Sequence, residues 1–237
     1  MTTVIIPAFI VVLLIVILQV FSFNKTTYHS ATGNSYFATI ADTGKYGEYR
    51  IFKQLKYLEK QGAKFLFNVY LPKENGETTE CDVILILPQG FIVFESKNYS
   101  GWIFGDEKSK TWTQTLPQGK GRAAHKEKFF NPIMQNNLHI KYLKTVIGDN
   151  YAIQSIIVFS ERCTLKKISV SSKDVQVVKR NNIVSALTEA IHMMPQDAVP
   201  DEEIMRLYEL LYPYSQVSDS IKQKHIQNIR NKHNKEG

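Results

Sequence analysis

The chain opens on an apolar run, Val4–Phe23 (VIIPAFIVVLLIVILQVFSF), whose only polar side chains are Gln19 and Ser22. A helix of that length spans roughly 30 Å, the thickness of a bilayer core, so residues 1–23 read as a transmembrane anchor. A cleaved signal peptide is the rival reading. No Lys or Arg precedes the run, however, and it is longer than the apolar core of such peptides. A buried core helix fits less well with uniform hydrophobicity at a terminus. Residues 24–41, rich in Ser, Thr, Tyr and Asn, read as a juxtamembrane linker.

The rhythm then changes. In GKYGEYRIFKQLKYLEKQ, 44–61, Ile51, Leu55 and Leu58 recur at helical spacing, and Gly62 is a natural stop. Three runs follow, FLFNVYL (65–71), CDVILIL (81–87) and FIVFESK (91–97), separated by turn-forming ENGE and PQG. The last two are apolar at nearly every position, the pattern of strands covered on both faces. GWIFG and KTWTQT predict further short strands, and QGKGRAAHKEK (118–128) a basic loop. Asn131-Pro132 opens a helix, IMQNNLHIKYLKTVIG, with Leu138, Tyr142 and Val146 facing the core, before a buried strand, IQSIIVFS, at 153–160. This order predicts one α/β domain at 42–180, a mixed sheet flanked by helices. Residues 181–215 read as a C-terminal helical appendage, with Ile183, Leu187 and Ile191 in one helix and EEIMRLYELLY in the next. Residues 216–237 read as a fraying basic tail.

Charge changes this picture little. The net +7 falls entirely after residue 23, which permits nucleic acid or anionic lipid as partner but selects neither. Lys25 and the basic residues beyond it place the folded part of a single-pass membrane protein on the cytoplasmic side. Cys81 and Cys163, both in or beside apolar runs, read as buried free thiols of a reducing compartment. Nothing in the sequence fixes an oligomeric state.

Three charges sit at the ends of apolar strands: Asp82 at the start of one, Glu95 and Lys97 near the end of the next. Separated by one residue, Glu95 and Lys97 face the same way. Buried charge needs a partner. Either the three form a structural ionic cluster or mark a solvent-exposed strand end, or Asp82 and Glu95 bind Mg²⁺ while Lys97 steadies a water or a developing phosphate charge.

This pattern resembles the restriction-endonuclease-like superfamily, with its Asp…(Asp/Glu)-x-Lys across a hairpin, and more narrowly the nuclease-related domain known as NERD. Gly47-Glu48 is similar to that domain's opening Gly-Glu, Glu80 and Asp82 to its acidic strand start, and Glu95-Ser96-Lys97 to its Glu-x-Lys. Gly101, Ile103, Gly105 and Trp112 resemble its glycine-and-tryptophan segment. Asn131-Pro132 with Gln135 and His139 resembles its closing helix. Cys81 stands where the superfamily often has proline. The resemblance covers roughly 42–160.

It implies a restriction-endonuclease-like fold and hydrolysis of phosphodiester bonds with Mg²⁺ or Mn²⁺, held by Asp82 and Glu95, in nucleic acid, DNA before RNA. Lys97 would stabilise the transition state. Glu48 would reach the metal directly or through water, or else is a first-turn acid favoured by the helix dipole. Gln135 and His139, at i and i+4, would contact phosphate or position Glu48 and Lys97. Lys120, Arg122, His125, Lys126 and Lys128 are candidates for backbone contacts, the alternative being a solvated loop. Trp102 and Trp112 read as sheet-packing residues, and Glu161-Arg162 as a surface pair without a role. A non-catalytic module binding nucleic acid or protein at the membrane is the alternative to a nuclease.

Overall fold

A computed structural model describes residues 2–119, 123–196 and 198–236 of the chain, with side chains described between residues 10 and 231. The apolar run forms helix α1 (Thr2–Asn24). From Ile10 to Phe21 its large apolar side chains are about half exposed, but Phe23 is buried against Tyr28, Tyr36 and Tyr49. Among the described residues no helix is both long and apolar enough to cross a membrane. Residues 24–41, expected as a linker, carry two short helices, α2 (Thr27–Thr32) and α3 (Tyr36–Ala41). Thr26 and Ser35 cap them by accepting backbone N–H bonds.

Helix α4 (Thr43–Leu55), capped by Asp42, runs into a 3-10 turn that ends at Gly62, where φ is +87°. Then come β1 (Lys64–Pro72), β2 (Thr78–Leu87) and β3 (Gly90–Lys97), β4 (Gly101–Asp106), β5 (Thr111–Leu116) and β6 (His125–Phe130). Helix α5 (Pro132–Ile147) precedes β7 (Ile153–Phe159), β8 (Cys163–Ser169) and β9 (Val175–Lys179). Helices α6 (Ile183–His192), α7 (Asp201–Ser215) and α8 (Asp219–Glu236) close the chain.

The strands form two mixed sheets. The larger has the order β1-β2-β3-β7-β9, antiparallel as far as β3 and parallel beyond it. The smaller has the order β6-β5-β4-β8. Ile51, Phe52 and Leu55 of α4 pack with Ile183 and Leu187 of α6 on one face of the larger sheet. Leu143 and Ile147 of α5 pack with Leu207 and Leu211 of α7 on the other. Both faces are covered, as the apolar strands required, and each such buried side chain contributes about 1.5–3 kcal/mol.

Two corrections follow. Residues 181–215 are no appendage, because α6 and α7 complete the two helical layers. Residues 216–237 do not fray from their start: α8 is helical, and its His225 is buried with Nδ1 3.1 Å from Thr78 Oγ1. Both cysteines are buried and free.

The smaller sheet explains the glycine-and-tryptophan segment. Trp112 is buried and stacks on Phe159, its centroid 6.1 Å away. A Cβ on Gly105 would lie 2.0 Å from its ring. Trp102, expected to pack, is exposed, with Lys166 Nζ 5.3 Å from its centroid.

Candidate active site

The ladder between β2 and β3 stops at Val83↔Phe94, although β2 begins at Thr78 and β3 continues to Lys97. Beyond that pair Thr78–Cys81 register only with β1, and Glu95–Lys97 only with β7. The sheet therefore forks, and the fork gathers acidic groups.

The alternation of faces also slips there. Leu66 and Val69 lie in the same core, as do Ile84 and Cys81, although each pair is three residues apart. In β1 the slip falls at Asn68, the one non-glycine with positive φ (+50°) among the described residues. In β2 it falls at Asp82. Irregularities of this kind re-aim side chains next to active sites. Here the slip sets Asp82 between polar groups on the two faces.

On the α5 face Lys97 Nζ donates to Glu95 Oε1 at 2.7 Å and to Gln135 Oε1 at 3.0 Å. Glu95 Oε2 lies 3.2 Å from His139 Nε2 without the alignment of a hydrogen bond, which leaves both atoms buried and unsatisfied. Thr79 Oγ1 holds the other ring nitrogen at 2.6 Å. Burial alone would raise the Glu95 carboxyl, but Lys97 and His139 outweigh it and hold it low. For Lys97 burial works against the charge, and Glu95 and Asp82 more than restore it.

On the α4 face Asn68 Nδ2 donates to Glu48 Oε2 at 3.0 Å, and Tyr70 Oη donates to Glu80 Oε1 at 2.7 Å. Glu48 is pushed up to about 8, first by burial and then by the negative field of Glu80. Gly47 makes this approach possible, because a Cβ there would meet Ser96 Oγ at 2.4 Å. Between the faces Asp82 Oδ2 accepts the Ser96 N–H at 2.7 Å. Burial, then Glu95 and Glu48, push its carboxyl well above the usual range.

The fork thus brings together Asp82, Glu95, Lys97 and Gln135, with Glu48 on the opposite side of Asp82. The unsatisfied Glu95 Oε2 and the Asp82 carboxyl, which feels the charge of Glu95, are hard oxygen donors of the kind Mg²⁺ or Mn²⁺ takes. Among the described residues no group of three or more His, Cys, Asp and Glu is placed to hold a metal.

Other expected site residues lie elsewhere. His139, a candidate for nucleic-acid contact, is buried between Thr79 and Glu95 and cannot reach a strand outside. Lys120 and Arg122 lie outside the described residues. The basic loop expected at 118–128 ends in edge strand β6, on which Lys126 and Lys128 are exposed. They share the face opposite Phe129, whose ring meets Tyr99 at 4.8 Å, so they point away from that contact. Asn131 serves architecture: it caps α5 and donates to the carbonyls of Asp106, Glu107 and Ser109.

Four contributors were missed by sequence reasoning: Asn68, Thr79, Asn136 and His225. Asn136 is buried and donates to Val93 O and Ser155 Oγ, tying α5 to β3 and β7. Its spacing of three from His139 on one helix was the available signal. Asn68 interrupts the apolar run FLFNVYL. His225 Nε2 lies 3.7 Å from Glu80 Oε2, and nothing in the pattern of α8 marked it.

The family model described as the nuclease-related domain, NERD, matches residues 43–160, from the start of α4 to the end of β7. An uncharacterized protein of Bacillus anthracis is 32% identical over 189 residues, covering 80% of this chain and 84% of its own. No solved structure matches. With the fork, the Gly-Glu approach and the Asn-Pro cap all inside the matched segment, the chain belongs to the nuclease-related domain family.

Proposed function

We propose that the protein is a metal-dependent nuclease that hydrolyses phosphodiester bonds, in DNA before RNA, and is tethered to a membrane by α1 with its folded part in the cytoplasm. The observation that supports the reaction is the fork itself, where the β2–β3 ladder ends, Asp82 accepts the Ser96 N–H and Lys97 pairs with Glu95. Asp82 and Glu95 would hold Mg²⁺ or Mn²⁺, which when bound activates water and offsets phosphate charge. Lys97 is already charged and aimed by Gln135, so its Nζ can stabilise the negative charge that grows on the phosphate oxygens. His139, held by Thr79, positions Glu95.

The tether rests on the exposed apolar surface of α1 from Ile10 to Phe21, far more than a soluble helix leaves uncovered. Lys25 lies over the Phe21 ring at 4.1 Å, a cation at the polar end of an apolar helix.

The purified full chain in detergent should cleave nucleic acid only when Mg²⁺ or Mn²⁺ is added. Glu95→Gln should abolish cleavage, and Lys97→Ala should lower turnover by about 10²–10³ with little change in substrate affinity. The rival, a non-catalytic binding module, draws on the burial of Glu95 and its close pair with Lys97. On that reading Lys97→Ala costs about 3–5 kcal/mol of stability. Early melting of both variants, with no cleavage of DNA or RNA by wild type, would decide for the module.

A further inference from the structure

Strands β3, β7 and β9 run parallel and end in register at Lys97, Phe159 and Lys179. The next residue of each, Asn98, Ser160 and Arg180, lines a cavity of about 360 Å³, together with Arg50 of α4 and Arg162. The carboxyl ends of parallel strands are where open α/β sheets take ligands. We propose that this arginine-lined cavity binds a phosphate group of a nucleic-acid strand, next to the phosphate that the acidic fork would attack. The nuclease reading supplies the strand; the site stands on its own geometry.

Three guanidinium groups line this cavity beside one carboxylate, and two of them pair with it. Glu161 accepts from Arg50 Nη2 at 3.2 Å and pairs with Arg180 Nη2 at 3.3 Å. Among the described residues Arg162 pairs with no carboxylate: Nη2 donates to Asn98 O at 2.8 Å, and Nε to Ser160 Oγ at 3.2 Å. Arg180 is 3% exposed, and its Nη1 is buried without a hydrogen-bond partner. Arg50, Arg162 and Arg180 against the single Glu161 leave the cavity lining with surplus positive charge, which calls for an anion with several acceptor oxygens. Phosphate has them, and the guanidinium fork matches its geometry. Thr43 and Tyr46, which also line the cavity, carry hydroxyls for the remaining oxygens.

The site is coupled to the fork through the backbone. Ser160 N donates to Lys97 O at 3.0 Å, and Asn98 follows Lys97 directly. Lys97 turns toward α5, whereas Asn98 Nδ2 donates to Thr43 O on the α4 side. The end of β3 thus separates the two positions, and one strand laid across it would meet both.

The test is a titration of the full chain in detergent, with metal chelated, against fluorescein-labelled single strands bearing a terminal phosphate or a terminal hydroxyl. Arg162→Gln and Arg50→Gln should each weaken binding about three- to tenfold and lower the slope of log K against log salt by about 0.7. If a terminal phosphate occupies the cavity, the phosphorylated strand binds tighter and the variants erase that preference. If an internal phosphodiester does, both strands weaken alike. Arg180→Lys, which keeps the charge but loses the fork, should weaken binding in the same sense, and folding is followed by melting. Wild-type affinity and salt slope in folded Arg162→Gln and Arg50→Gln would overturn the proposal. A wild type that never cleaves, with these losses in the variants, would sink the nuclease reading and keep the cavity; cleavage by wild type with unaltered binding in the variants would do the reverse.

Discussion

Asn68 donates to Glu48, but burial and the field of Glu80 work against its charge. Its pKa of about 8, against an ordinary 4.5, means that the folded chain holds a proton that the unfolded chain has released between those values. The sign follows: more protons bound in the native state make stability fall as pH rises through that window. Glu80 and Asp82, also raised, add in the same direction. Glu95, held low, loses its contribution only below the ordinary carboxylate range. In chelator, melting should therefore be highest near about pH 5 and decline toward about pH 8. Glu48→Gln keeps the size and removes the charge, so it should flatten this decline and gain a few kcal/mol at the alkaline end. An equally steep melting profile in the variant would mean that Glu48 is charged in the folded state. Little of this was legible beforehand. The acids were visible, but the donor that restrains Glu48 sits on a strand residue with φ of +50°, which no periodicity reveals.

At the scale of elements, the helices and strands over 44–160 were readable because their buried faces are apolar, and reading failed where a buried face is polar. In α5 the expected stripe included Leu138, which is 39% exposed; the buried face instead runs through Ile133, Asn136, His139 and Leu143. Two polar residues on the inner face displaced the stripe, and both serve the fork. Strand β6, HKEKFF, failed for the opposite reason. It is an edge strand exposed at most positions, so charge replaced alternation and the segment looked like a loop. The approach of α4 to β3 is the element contact most open to test. Gly47→Ala would put a Cβ 2.4 Å from Ser96 Oγ, so α4 must shift or Ser96 must turn. Overpacking of this kind costs about 1–3 kcal/mol. Adding Ser96→Ala removes the clashing oxygen, since the next contacts, to Ser96 Cβ and Asn98 Cβ, lie at an ordinary 3.7 Å. The double variant should therefore recover most of the denaturant midpoint lost by Gly47→Ala. A double variant no more stable than the single would place the strain elsewhere in α4.

For the whole molecule, the N-terminal region decides where the folded unit begins. The sequence pattern separates an anchor, a linker and a domain from residue 42, yet the first core crosses both boundaries. Phe23 is 1% exposed and Tyr28 fully buried. Phe23 packs edge-on to Tyr49 at 5.0 Å, and Tyr28 meets Phe67 at 4.9 Å while its hydroxyl donates to Lys45 O. A fragment 42–237 lacks both rings and uncovers Tyr49, Phe52 and Phe67. Truncating one buried aromatic costs about 3–5 kcal/mol, and a domain's whole stability is about 5–15 kcal/mol. Two such losses take most of it. Fragment 42–237 should therefore be aggregated or lack a cooperative melt. Fragment 19–237, which keeps Phe23 and α2 but drops most of the exposed apolar surface of α1, should melt cooperatively and stay in the supernatant when membranes are sedimented. The full chain should sediment with them. If 42–237 melts as sharply and as late as 19–237, Phe23 and Tyr28 are ornaments on the domain rather than part of its core. If 19–237 sediments like the full chain, the attachment lies outside α1, and the basic surface formed by Lys53 at the end of α4 and Lys56 of the turn that follows it is the next to neutralise.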